Sequence, residues 1–109
     1  MAAPDRHGAA DRHGANRHSA AADLLRALAN PYRVRIVELL AVEPRCVHEL
    51  VEALDAEQPL VSQHLRILRD AHLLTAQRRG REMVYSLADD HIAHIVGDAI
   101  LHANENPDA

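Results

Sequence analysis

Large aromatic side chains are almost missing from this sequence. Phe and Trp do not occur, and Tyr32 and Tyr85 are the two aromatic residues among 109. Any core must therefore be aliphatic, and a hydrophobic fraction of 48% is ample for one. Cysteine is nearly absent too. Cys46 stands alone, which excludes an internal disulfide and suits the reducing cytoplasm. No apolar run reaches the roughly 18 residues of a spanning helix, so no membrane association is expected. The N-terminus lacks the apolar core of a secretory signal, so export is not expected either. Length leaves no room for a second domain, and a single domain this small is marginal alone, which favours a dimer.

Positive charge is absent from one end of the chain. Residues 82–109 hold six acids (82, 89, 90, 98, 105 and 108) and neither Arg nor Lys. Residues 59–81 set five arginines (66, 69, 78, 79 and 81) against Asp70, and residues 1–58 set seven against nine acids. The net charge of −4 thus hides a basic segment directly before an acidic one. The first suits phosphate and the second suits a cation.

The first 19 residues repeat Asp-Arg-His-Gly-Ala at 5–9 and 11–15, then continue Asn-Arg-His-Ser. With Pro4, Gly8, Gly14 and almost no large apolar residue, this segment is expected to be a disordered tail, and the folded domain to span 20–106. His7, His13 and His18 either offer metal ligands or belong to an inert biased tail. They have no helical spacing, which argues against tight binding by the tail alone.

Leu24, Leu25 and Leu28 mark a helix over 20–29. Asn30-Pro31 ends it and opens another to about residue 42. Val47, Leu50, Val51 and Leu54 give a third, over 46–54. A polar turn at 55–58 leads to Pro59, which opens a fourth to about Ala71. Two short helices joined by a tight turn form a helix-turn-helix. The second is expected to leave Ser62, Gln63, His64, Arg66 and Arg69 outside, and such groups read base edges and grip phosphates. Residues 73–78 and 82–87 then read as two strands around an arginine-rich turn. This hairpin is a wing, and Arg78, Arg79 and Arg81 at its tip suit phosphate or a narrow minor groove. The expected fold is mainly α with a small β-hairpin: a dimeric winged helix-turn-helix.

The last helix, 89–105, carries a polar stripe. At about 100° per residue, Asp98, His102 and Glu105 fall within about 40° of His91, and Asp89 folds towards His91 from the helix start. Two histidines with carboxylates are donors for a first-row metal. Eleven residues of helix span roughly 16 Å, whereas metal–ligand bonds are about 2 Å. His91 and His102 of one chain therefore cannot share an ion. An antiparallel second copy would place Asp89 and His91 opposite His102 and Glu105, and a two-fold axis would make two equivalent sites. The alternative is a solvated face of an amphipathic helix.

With these elements in view, the sequence resembles the ArsR/SmtB family of winged-helix metal-sensing repressors over roughly residues 20–106. The carriers are residues 28–36 (Leu-Ala-Asn-Pro-Tyr-Arg-Val-Arg-Ile), 46–50 (Cys-Val-His-Glu-Leu), 58–68 (Gln-Pro-Leu-Val-Ser-Gln-His-Leu-Arg-Ile-Leu) and 79–85 (Arg-Gly-Arg-Glu-Met-Val-Tyr). Residues 59–68 look like the family's DNA-reading helix. Asp89-x-His91, ten intervening residues and His102-x-x-Glu105 match the pattern of its zinc and cobalt sensors. Where relatives that bind thiophilic metals carry Cys-x-Cys, this chain has Cys46-Val47-His48, with one thiol. Cys46 and His48 either form a weaker second site, with or without tail histidines, or are a small buried residue and a surface one.

The resemblance implies an apo homodimer that binds double-stranded operator DNA and is released by Zn²⁺ or Co²⁺ held between the C-terminal helices. Two alternatives stand beside it. One is a nickel or cobalt sensor that recruits the tail histidines, since Ni²⁺ prefers more ligands. The other is a winged-helix repressor that senses oxidation at Cys46. Four protein ligands leave a metal no open position, and no nucleophile–base pair or phosphate loop is present, so an enzyme is not expected.

Overall fold

The computed structural model describes residues 4–105, with side chains from residue 16 onward. Five helices and three short strands follow in order: α1 (Pro4–Leu28), α2 (Pro31–Val42), β1 (Arg45–Cys46), α3 (Val47–Leu54), α4 (Gln58–Asp70), β2 (Leu74–Arg79), β3 (Glu82–Leu87) and α5 (Asp90–Glu105). The strands form one antiparallel sheet in the order β1-β3-β2.

Local chemistry sets the boundaries. Asn30 Oδ1 accepts hydrogen bonds from Tyr32 N at 2.8 Å and Arg33 N at 3.3 Å, so Asn30 caps α2 and Pro31 occupies its first turn. Glu49 Oε1 accepts from Cys46 N at 2.9 Å and holds the start of α3. Asp55 ends α3 in the left-handed region at φ 52°, which short polar side chains tolerate. The wing closes through a two-residue loop, Gly80-Arg81, between the paired Arg79 and Glu82. Gly80 supplies the positive φ of 66° that this reversal needs.

Two features differ from the expected layout. Sequence periodicity gave no sign of β1, because a strand of two residues has no period. It exists through its partner: Arg45 pairs with Tyr85 and Cys46 with Val84. Helix α1 also extends back to Pro4, through most of the segment expected to be a disordered tail. Ala9, Ala10, Ala15 and residues 20–22 are alanines, the best helix former, set against the weak formers Gly8 and Gly14. Among the residues whose side chains are described, α1 reaches the core through Leu24, Ala27 and Leu28.

The core is aliphatic, as the missing aromatics require. Ile36, Val37 and Leu40 of α2, Leu50 of α3 and Val61, Leu65 and Leu68 of α4 meet Leu73, Leu74, Ile92 and Val96. This packing seats α4 against α2 and α3 and leaves its opposite face beside the wing. Leu50 is fully buried and is the one buried residue of α3. Leu50→Ala is expected to cost about 2–5 kcal/mol, the range for a leucine deleted from a core. Urea unfolding should show a lower midpoint at unchanged slope, and a loss below about 1 kcal/mol would mean that α3 is not pinned at this point.

Candidate functional site

Helix α4 and the wing both expose arginines. Ser62, Gln63, Arg66 and Arg69 are exposed on α4, and Arg78, Arg79 and Arg81 are exposed at the wing tip. Between the two runs an open depression of about 590 Å³, lined by Ser62, Leu65, Arg66, Arg69, Asp70 and Tyr85. Hydroxyl, amide and guanidinium groups on a helix beside a cationic hairpin can bond base edges and phosphates together.

His64 is a correction to the expected DNA-reading set. It is 7% exposed and points away from that face. Val61, His64, Leu65 and Leu68 follow i, i+3, i+4, i+7, so His64 belongs to the buried stripe of α4. Its ring stacks on Tyr32, with centroids 5.4 Å apart and planes at 24°. Arg33 Nη1 lies 3.3 Å from His64 Nδ1. A guanidinium only donates, so Nδ1 accepts and the ring proton sits on Nε2. Burial, and secondarily the Arg33 charge, hold His64 below its ordinary pKa of 6.5. Tyr32, Arg33 and His64 thus lock the start of α2 to the inner side of α4.

The C-terminal donors lie at the two ends of α5. Asp89 Oδ1 accepts from the backbone N–H of His91 at 2.9 Å, which caps the start of the helix. At the far end His102 Nδ1 is 3.9 Å from Glu105 Oε1. All four residues are exposed. One chain therefore presents an imidazole and a carboxylate at each end of α5 and does not bring the four together. Asp98, on the same stripe, is exposed between them.

A third cluster was only half legible. Cys46 is buried, and its Sγ lies 3.5 Å from Nδ1 of the exposed His48. Glu82 of the wing completes a group whose potential ligand atoms all lie within 4.8 Å of one another. Glu82 sits 36 positions further along the chain, and only the pairing of β1 with β3 brings it in. Burial pushes the Cys46 thiol above its ordinary value; the Glu49 backbone contact opposes this, and the Glu82 side chain adds to the rise. A protonated, buried thiol is a poor nucleophile, which counts against an oxidation switch at Cys46. Of the tail histidines, His18 is exposed on α1, whereas the side chains of His7 and His13 lie outside the described residues.

Residues 30–76 match the profile of the "Bacterial regulatory protein, arsR family". The chain is 60% identical over 87 residues to the HTH-type transcriptional repressor SmtB of Mycobacterium tuberculosis, a match that covers 80% of this chain and 64% of that protein. It therefore spans a little under two thirds of that relative's length. It is 44% identical over 82 residues to the HTH-type transcriptional regulator NmtR of the same organism, covering 75% of this chain and 68% of the regulator. Among solved structures, the homodimeric winged helix-turn-helix DNA-binding domain of a possible ArsR-family regulator from Mycobacterium bovis superposes with a TM-score of 0.78. It shares 28% identity and covers 85% of this chain and 86% of its own.

The inward histidine makes a pH prediction. With its folded pKa depressed, His64 takes up a proton more readily in the unfolded chain than in the folded one. Its contribution to stability is present above the unfolded value of about 6.5 and is lost as pH falls through it towards the lower folded value. The urea midpoint of the wild type should therefore drop between pH 7.5 and pH 5.5, and His64→Phe should show a smaller drop. Equal drops in the two proteins would remove His64 as a source of the dependence.

Proposed function

The chain belongs to the arsR family of bacterial regulatory proteins, and on that premise we propose that it is a metal-responsive transcriptional repressor. Its homodimer binds operator DNA through α4 and the wing. Zn²⁺, or Co²⁺ in its place, held between the C-terminal helices of two copies, releases it.

The observation that carries this reading is the division of donors on α5. Each end offers one imidazole and one carboxylate, half of a tetrahedral set, with His102 Nδ1 3.9 Å from Glu105 Oε1 at one end and Asp89 bonded to the His91 backbone at the other. Two nitrogens and two carboxylate oxygens fit Zn²⁺. Exposure of all four residues fits a site completed from outside the single chain. Unpartnered apolar side chains support the second copy: Ile95 and Leu101 on α5 and Leu25 on α1 are 38%, 65% and 55% exposed. Bound metal contributes charge neutralisation and fixed geometry. The chain's own part is to connect those ends of α5 to the DNA-reading face. Ile92 and Val96 of α5 pack into the same core as Val61, Leu65 and Leu68 of α4. A change in how two α5 helices sit together thus changes the spacing of the two α4 helices, and with it the fit to two half-sites.

DNA affinity and metal affinity must oppose each other reciprocally, typically by 1–3 kcal/mol, or about 5–150-fold. The test is fluorescence anisotropy of a labelled duplex carrying the promoter of the protein's own gene, with Zn²⁺, Co²⁺ or Ni²⁺ titrated into the complex. Zn²⁺ should release the wild type, while His102→Ala should bind the duplex equally well and stay bound. Release of His102→Ala at wild-type zinc concentrations would sink the α5 assignment. Salt provides a separate check on the wing. Arg81→Ala should weaken binding to all sequences alike and lower the slope of log K against log salt by about 1. An unchanged slope would take the wing tip out of the phosphate contacts.

A further inference from the structure

The packing that turns Val61, His64, Leu65 and Leu68 inward leaves two flanks of α4 outside. The wing-side flank carries Ser62, Arg66 and Arg69 around the depression described above. A second open depression, of about 480 Å³, lies on the other flank and shares no lining residue with the first. Pro59, Leu60 and Gln63 of α4 line it, with Tyr32 of α2 and the turn acids Asp55 and Glu57. No arginine is among its described lining residues. Carboxylates without a cation repel phosphate, so the DNA backbone is not what this flank takes.

Leu60 is the one leucine of α4 left on the surface, at 36% exposure, while Leu65 and Leu68 are buried. It precedes Val61 by one residue, about 100° round the helix, which takes it out of the buried stripe. Gln63 is exposed and stands three residues on, so the two side chains are neighbours on one flank. An apolar group and an amide thus stand together at the start of the DNA-reading helix. In helix-turn-helix proteins that end of the helix reaches the base edges. In the major groove the C5-methyl of thymine is the apolar group on offer. Adenine presents the N6 donor and N7 acceptor that an amide matches with two hydrogen bonds.

We propose that Leu60 and Gln63 are specificity-determining residues that select A·T pairs in each half-site. Leu60 packs on a thymine methyl, and Gln63 bonds N6 and N7 of an adenine in the same or the adjoining pair. The inference rests on the reading of this chain as a DNA-binding repressor and adds the bases that it selects. The arginines of α4 and the wing grip phosphate whatever the sequence, while this flank supplies the choice.

Single-atom and single-group changes in the duplex test it. Deoxyuridine in place of thymine deletes the methyl and keeps the pairing, and 7-deazaadenine deletes the N7 acceptor. The full chain, metal-free, is titrated by anisotropy against the labelled promoter duplex, and against duplexes carrying one such replacement at a time. At one thymine in each half-site, deoxyuridine should weaken wild-type binding about fourfold, the loss expected for one buried methyl. Leu60→Ala should bind the unmodified duplex more weakly and ignore that replacement, while Leu60→Met, which keeps an apolar contact, should still respond to it. At the adenine read by Gln63, 7-deazaadenine should weaken the wild type at least about fivefold and leave Gln63→Ala unaffected. Wild-type binding that is indifferent to every thymine methyl overturns the Leu60 contact, as does deoxyuridine sensitivity that survives in Leu60→Ala. A 7-deazaadenine effect that persists in Gln63→Ala overturns the Gln63 contact. Absence of salt-dependent binding to the unmodified duplex is a separate result, and it overturns the repressor reading itself.

Discussion

The azimuth of α4 decides everything the molecule presents to a partner. Val61, His64, Leu65 and Leu68 form one buried stripe along this helix, and the apolar side chains in it are held by α2, α3 and the base of the wing. Rotation by a single residue, about 100°, would bury Ser62 or Gln63 and expose leucine. Burial of three aliphatic side chains, each worth roughly 1.5–3 kcal/mol, makes that rotation costly. The outward direction of Ser62, Gln63, Arg66 and Arg69 is thus a consequence of hydrophobic packing on the far side of the helix. The Tyr32–Arg33–His64 contact adds a directional element that aliphatic packing lacks, since stacking and a charge-assisted hydrogen bond each accept a narrow range of angles.

The wing depends on a different constraint. A two-stranded hairpin is marginal by itself, and β1 adds a third strand that ties β3 to the start of α3. Leu74 at the base of β2 is buried, and Tyr85 and Leu87 of β3 pack against the core, while the arginine tip stands free. The hairpin is therefore anchored at its base, while at its tip a side chain at Gly80 would meet nothing within 4 Å. A rigid base with a cationic tip allows the tip to follow a phosphate backbone without disturbing α4.

Much of this was legible in the sequence, and what was not has definite physical reasons. Helices α2, α3 and α4 and both wing strands lie within a residue or two of the spans that periodicity and capping residues give, because each is bounded by local chemistry: Asn30-Pro31, Asp55, Pro59 and Gly80. The aliphatic core followed from composition alone. His64 was misplaced because residue type was weighed above position. An imidazole on a recognition-type helix suggests a base contact, yet its i, i+3, i+4, i+7 company already placed it inside. Strand β1 and the part Glu82 plays beside Cys46 were out of reach for another reason. Both depend on pairing between segments more than 35 residues apart, and a two-residue strand carries no pattern that announces its partner. The extension of α1 to Pro4 shows the limit of reasoning from burial. That stretch has no apolar stripe to bury, and its helicity rests on alanine propensity.

The two donor clusters lie at different joints. Those of α5 stand at the ends of a helix whose Ile92 and Val96 enter the core behind α4. The Cys46–His48–Glu82 group spans the seam between α3 and β3. The donor sets differ in the same sense as the joints. Oxygen and nitrogen alone on α5 admit a range of first-row ions, while one sulfur at the wing biases that site to softer ones. The two clusters share no residue, so a substitution in one leaves the donors of the other in place, and the parts of the fold that each would bear on can be probed separately.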